Sequence, residues 1–125
     1  MVVLDPAAYT RRQVRAQLAP LGCTVVELAG TEDGAHVARQ VARARVLVVE
    51  PAPYGSRAEA WLRELRAANP QAALVVCTAL TTRAAVVAYR RAGAADVVAK
   101  PWEPGRLQEA VAAALATAGP GAGTT

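Results

Sequence analysis

Five short apolar runs recur along the chain at intervals of roughly 20–27 residues, each rich in Val, Leu and Ala with little alternation. They are Val2–Leu4, Thr24–Ala29, Val46–Val49, Ala73–Thr78 and Asp96–Ala99. A strand with one wet face alternates apolar and polar side chains. A strand covered on both faces does not, and continuous Val/Leu/Ala runs of this length belong to parallel sheets with helices above and below.

The segments between the runs carry helical spacing. Val14, Leu18 and Leu21 repeat at i, i+4 and i+7, with Gly22 as a stop signal. A second helix is expected over Glu32 to Arg43, with Ala38 and Val41 among polar positions. A third is expected after Ser56 as N-cap, with Trp61, Leu65 and Ala68 on one face, ending at Asn69-Pro70. A fourth runs from about Thr82 to Ala92 and closes on Gly93. A fifth begins near Pro104, with Leu107, Val111, Ala114 and Leu115 in register. Strand and helix thus alternate five times. Right-handed crossovers then require one doubly wound (βα)5 α/β domain of the flavodoxin-like class, a parallel five-stranded sheet in the order 2-1-3-4-5. The domain is expected over 1–117, with 118–125, rich in Gly, Pro, Ala and Thr, as a flexible tail or the start of a linker.

Composition sets outer limits. At 125 residues the chain is one domain long, and folding removes roughly two-thirds of its unfolded surface from water. No apolar run nears the ~20 residues of a membrane span, and Asp5-Pro6 cuts the first run short of a signal peptide, so no membrane contact is expected. Cys23 and Cys77 lie far apart in apolar surroundings. They suggest neither a disulfide framework nor a zinc site, and they fit a reducing cytoplasm. The net charge is +4, and Lys100 is the one lysine among the basic residues. The arginines are scattered and aromatics make up 4%, so direct nucleic-acid binding is not expected; DNA enters only through an appended domain. His36, the sole histidine, is assigned to a helix surface, and Gly30, Gly34 and Gly55 are isolated turn glycines rather than a nucleotide loop.

The chemistry gathers at the carboxyl ends of the strands, where open α/β sheets bind their ligands. Asp5 ends the first run, Glu50 the third, Thr78 the fourth and Lys100 the fifth. In the inferred order these four converge on one edge. Two carboxylates, a hydroxyl and an ammonium make a phosphoryl or cation site: the carboxylates suit Mg²⁺, the other two the oxygens of a transferred group.

With these residues in place, the chain resembles the receiver domains of bacterial response regulators over roughly residues 1–117. Leu4-Asp5-Pro6, Arg11-Arg12, Leu21-Gly22, Val46 to Glu50, Thr78-Ala79, Ala92 to Asp96 and Lys100-Pro101-Trp102 carry the resemblance. It implies a CheY-like signalling module of a two-component system or phosphorelay, not an enzyme. Its phosphoacceptor position is held by Glu50, its acidic pocket by Asp5, its switch hydroxyl by Thr78 and its phosphate-contacting lysine by Lys100. The carbonyl of Ala52 would complete a metal site with Asp5 and Glu50, and the peptide before Pro101 is expected to be cis. Three positions depart from the family. Glutamate stands where the phosphoacceptor is aspartate, Pro6 replaces the second acidic residue, and Val97 replaces the switch aromatic.

The departures point one way. The extra methylene of Glu50 moves its carboxylate about 1.5 Å, and about 1 Å of misplacement can cost ~100-fold in rate. Losing an acid at Pro6 weakens Mg²⁺ binding, so no firm cofactor is expected. Val97 has no ring to swing. The longer Glu50 is able instead to reach Lys100 or Thr78 directly. The leading expectation is a pseudo-receiver that works through protein contacts without phosphorylation. The alternatives are weak Mg²⁺-dependent phosphotransfer to Glu50, or the N-terminal regulatory half of a DNA-binding response regulator. Expected partners are a histidine kinase, a phosphotransfer protein or an output protein. A homodimer is an open alternative. Arg90, Arg91, Trp102 and Arg106 are the interface candidates, and Arg11, Arg12 and Arg15 form a further basic cluster on the first helix.

Overall fold

The structure is a computed structural model and describes residues 1–118. All but one residue of the expected tail 118–125 lie outside the described residues. Five strands form one parallel sheet: β1 (Val2–Leu4), β2 (Val26–Leu28), β3 (Val46–Val49), β4 (Ala73–Thr78) and β5 (Asp96–Ala99). Their order is β2-β1-β3-β4-β5, as the alternation of runs requires. The helices are α1 (Ala8–Leu18), α2 (Gly34–Arg43), α3 (Ala58–Ala68), α4 (Arg83–Arg91) and α5 (Arg106–Thr117).

The twofold period of the strands divides the core into two layers. Val2, Leu4, Leu47, Val49, Leu74 and Val76 point to the face covered by α2, α3 and α4, where they meet Val41, Leu62, Leu65 and Tyr89. Val3, Val46, Val48, Val75, Cys77 and Val98 point to the face covered by α1 and α5, against Val14, Leu18, Leu107, Val111 and Ala114. The apolar runs follow from this: β1, β3, β4 and β5 feed both layers at once, while edge strand β2 sends Val26 and Leu28 to one layer and turns Glu27 to Arg11 and Arg15.

The structure corrects several element ends. β2 is shorter than Thr24–Ala29, because this edge strand pairs only with β1, and the three residues of β1 offer it three partners. The first helix stops at Leu18 rather than running on to Gly22. Pro20 lacks an amide N–H, and Ala19–Leu21 tightens into a 3₁₀ turn that Gly22 closes. α2 starts at Gly34, after the Glu32 carboxylate has accepted the amides of Ala29 and Gly30 and fixed a turn. Ser56 is not an N-cap. Ala52–Arg57 forms 3₁₀ turns broken at Gly55 (φ 53°), and α3 begins at Ala58. Thr82 does cap α4, its side chain accepting from Ala85 N. α5 begins at Arg106 rather than near Pro104, after Gly105 turns the chain at φ 81°. Gly93 follows α4 at φ 114°, and a Cβ there would press on the Arg66 side chain at 3.0 Å. Any other residue would be strained at this point.

Candidate functional site

Each site residue is placed by its strand. Asp5 leaves β1 with its own amide donating to Leu28 O, and Glu50 leaves β3 with its amide donating to Leu4 O. The ladder thus carries both carboxylates to one edge of the sheet. Lys100 leaves β5 with its amide on Thr78 O, before a cis Lys100–Pro101 peptide. Its ammonium reaches over the end of β4 to both acids: Nζ donates to Asp5 Oδ2 at 2.6 Å and to Glu50 Oε1 at 3.0 Å.

Both carboxylates are buried, at 5% and 8% exposure. Their remaining oxygens are also satisfied. Asp5 Oδ1 accepts the amide of Ala7 at 2.8 Å, and Glu50 Oε2 accepts the amide of Ala52 at 3.1 Å. Arg11 secures the β1 end from outside, donating to the Asp5 carbonyl at 2.6 Å. Burial works against the Lys100 ammonium, yet its hydrogen bonds to Asp5 and Glu50 prevail and hold its pKa above the usual lysine value. The cluster is a cation clamped between two anions, and it keeps one surplus negative charge.

Thr78 is fully buried at the same edge but does not join the cluster. Its Oγ1 accepts the amide of Leu80 at 3.1 Å, and the Glu50 carboxylate bonds to Lys100 and to the Ala52 amide. Val97 is half-buried and packs into the α2–α4 layer. Ala52 turns its amide N–H toward Glu50. Asp5 and Glu50 are the carboxylates that would face Mg²⁺, and here the Lys100 ammonium bridges them while proline occupies the neighbouring position.

The arginines are more engaged than their spacing suggests. Arg106 grips Asp96 through two bonds of 2.9 Å, and Arg90 stands 3.5 Å from the same carboxylate. Arg15 pairs with Glu27 at 2.7 Å, and Arg11 lies 3.5 Å from the same residue. Arg12, Arg83 and Arg91 remain exposed. Trp102 is half-buried against the α1–α5 layer. His36 is half-buried on α2. Cys77 is buried, and burial pushes its thiol up to about 12, which removes it as a nucleophile.

Sequence reasoning missed two features. Asn69, read only as a helix stop, is buried and holds three carbonyls at the α2–β3 junction. Tyr54 stacks on Trp61, with ring centroids 4.1 Å apart and 15° between the planes. Trp61 had the spacing of a core residue, and nothing in the pattern placed Tyr54, on an irregular turn, against it.

No protein-family model matches the chain. It is 36% identical to the chemotaxis protein CheY of Thermotoga maritima over 50 residues, which span 40% of this chain and 42% of that protein. It is 27% identical to CheY of Bacillus subtilis over 116 residues, spanning 89% of this chain and 92% of that one. The crystal structure of the receiver domain of NtrX from Brucella abortus superposes with a TM-score of 0.78, at 26% identity, over 94% of this chain and 98% of that one. The fold is that of a CheY-like receiver. The likeness to response-regulator receivers extends to sequence. Among the described residues no helix is long and apolar enough to cross a membrane.

Proposed function

We propose that this chain is a pseudo-receiver of bacterial two-component signalling, a receiver fold that presents a fixed surface to a protein partner without phosphorylation. The observation that carries this reading is the bridge from Lys100 to Asp5 and Glu50 at 2.6 and 3.0 Å. In a receiver the lysine meets phosphate oxygens and the acids hold a metal. Here lysine and acids satisfy one another. A phosphoryl group would have to part a buried, charge-assisted pair before finding a nucleophile displaced by one methylene.

One further feature agrees. Val97 offers neither ring nor hydroxyl to follow Thr78, so the usual switch lacks its second moving part. The partner is a kinase, a phosphotransfer protein or an output protein. Its contact surface on the α4–β5–α5 side includes exposed Val87 and Arg91 and half-buried Trp102.

The test is intact mass after incubation with acetyl phosphate and Mg²⁺, with Glu50→Asp treated in parallel. The expected result is no adduct on the parent chain. A phosphoryl adduct mapping to Glu50 would overturn the reading and make the chain a working phosphoacceptor.

A further inference from the structure

Four of the ten acidic residues line two adjoining cavities beside the Tyr54–Trp61 stack, and none of the fourteen basic residues lines either one. In a chain of net charge +4 this is a marked local reversal of sign. The first cavity, about 150 Å³, lies between Tyr54 and the active edge and reaches Asp5 and Glu50. The second, about 270 Å³, runs down between α2 and α3 over Val37, Val41 and Leu65, with Glu32 and Glu64 on its border. Leu4, Gly30, Tyr54 and Trp61 belong to both.

The aromatic pair is the wall between the cavities. Tyr54 is partly exposed, and its hydroxyl overhangs Gly30, 3.8 Å from where a Cβ would stand. The Glu50 carboxylate accepts the Ala52 amide, and the Pro51 carbonyl accepts the Tyr54 amide at 3.0 Å. The turn that presents Tyr54 is thus fixed from the active edge.

Size and charge together select an occupant. Taken singly, each cavity suits one anchoring side chain of a protein partner, and the two adjoin along the Tyr54–Trp61 stack. The apolar trough between α2 and α3 accepts an aliphatic side chain. The acid-lined cavity beside Tyr54 accepts a cation by charge. Lys100 cancels only one of the two charges on Asp5 and Glu50, so that end stays negative.

We propose that the cleft around Tyr54 and Trp61 docks a protein segment carrying an arginine next to an aliphatic residue. This surface lies on the α2–α3 side, away from α4 and α5. It does not depend on whether Glu50 accepts phosphate, so the acetyl phosphate assay and the assay below fail independently.

The probe is the peptide acetyl-Gly-Leu-Arg-Leu-Arg-Gly-amide, titrated into the ¹⁵N-labelled chain. A citrulline-substituted version and free agmatine are run beside it. The expected result is a saturable shift at the Gly30 and Tyr54 amides and the Trp61 indole. The citrulline peptide and agmatine should each bind ~10-fold more weakly. Tyr54→Ala should lose ~10-fold. Glu64→Gln, an exposed and structurally mild change, should lose ~2–3-fold with an otherwise unchanged spectrum. Shifts that do not saturate or that centre elsewhere would overturn the proposal. So would citrulline peptide binding as tightly as the arginine peptide. Agmatine binding as tightly would make this a small-amine site and would equally overturn docking of a protein segment.

Discussion

Lys100 reaches Glu50 at 3.0 Å although β4 stands between their strands. The same ammonium continues to Asp5, so one side chain ties three strand ends together. Removing it leaves two buried carboxylates facing each other with no cation. Breaking a buried pair costs about 3–5 kcal/mol, and partial solvent access at Lys100 reduces that figure. Lys100→Met should therefore destabilise the fold by about 2–3 kcal/mol at pH 7, read as a lower urea midpoint. Adding Asp5→Asn should recover part of the loss, since one acid is then neutral. An unchanged midpoint in Lys100→Met would mean that the bridge contributes nothing to stability.

Asp96 is the second electrostatic centre, and its pH dependence has a definite sign. The hydrogen bonds from Arg106 hold its carboxyl below the ordinary aspartate value. A depressed acid contributes stability that is present above its unfolded pKa, near 3.8, and lost as pH falls through the folded value. Bidentate geometry strengthens the pair, while partial exposure on both sides screens it. Asp96→Asn should cost about 1 kcal/mol at pH 7. The gap between variant and parent should close as pH falls below 3.8. Paired unfolding curves at pH 7, 4 and 2.5 check this, and a gap constant with pH would assign the effect to packing instead.

Asn69 shows how a side-chain amide joins two halves of the sheet. Its Nδ2 donates to the carbonyls of Val41 at 3.0 Å, Ala42 at 3.3 Å and Ala44 at 2.8 Å, and its Oδ1 accepts the Ala72 amide at 3.2 Å. The α2–β3 junction and the α3–β4 turn are thereby held to one buried group. Asn69→Ala should cost about 2–3 kcal/mol, because it leaves buried backbone groups without partners. Asn69→Asp keeps the shape but turns a donor into an acceptor facing three carbonyls, and it should cost more. Equal stability of the alanine and aspartate variants would contradict this bonding pattern.

The strands were legible because burial on both faces writes a continuous apolar run, and β1, β3, β4 and β5 match their runs end to end. Convergence of Asp5, Glu50 and Lys100 followed from strand order alone. Local chain events were not legible. The start of α3 depends on how Pro53 and Gly55 bend the turn after β3, and the end of α1 depends on Pro20. Both are backbone effects that side-chain periodicity does not encode. Thr78 has the expected position at the end of β4, and its bond from the Leu80 amide is a local turn contact that strand order does not encode. Asn69 carried an ordinary helix-ending signal that hid its long-range bonds. The Tyr54–Trp61 stack joins a helix to an irregular turn, and no period links the two.

The two cysteines should separate cleanly by reactivity. Cys77 sits in β4 within the α1–α5 layer at 3% exposure, with its thiol pushed up to about 12. At pH 8 that leaves about one thiolate in ten thousand, in a site a reagent cannot enter without unfolding. Cys23 lies just before β2 with part of its surface open, its Sγ 3.7 Å from the Leu21 carbonyl. Iodoacetamide at pH 8 should therefore add one group to the native chain, at Cys23, and two in strong denaturant. The second adduct then reports on unfolding. Its rate in Lys100→Met should exceed the parent's, because a destabilised fold exposes β4 more often. Two adducts forming at equal rates on the native parent would contradict the buried placement of Cys77. If Lys100→Met matched the parent's rate, the bridge from Lys100 to Asp5 and Glu50 would have no hold on the opening of β4.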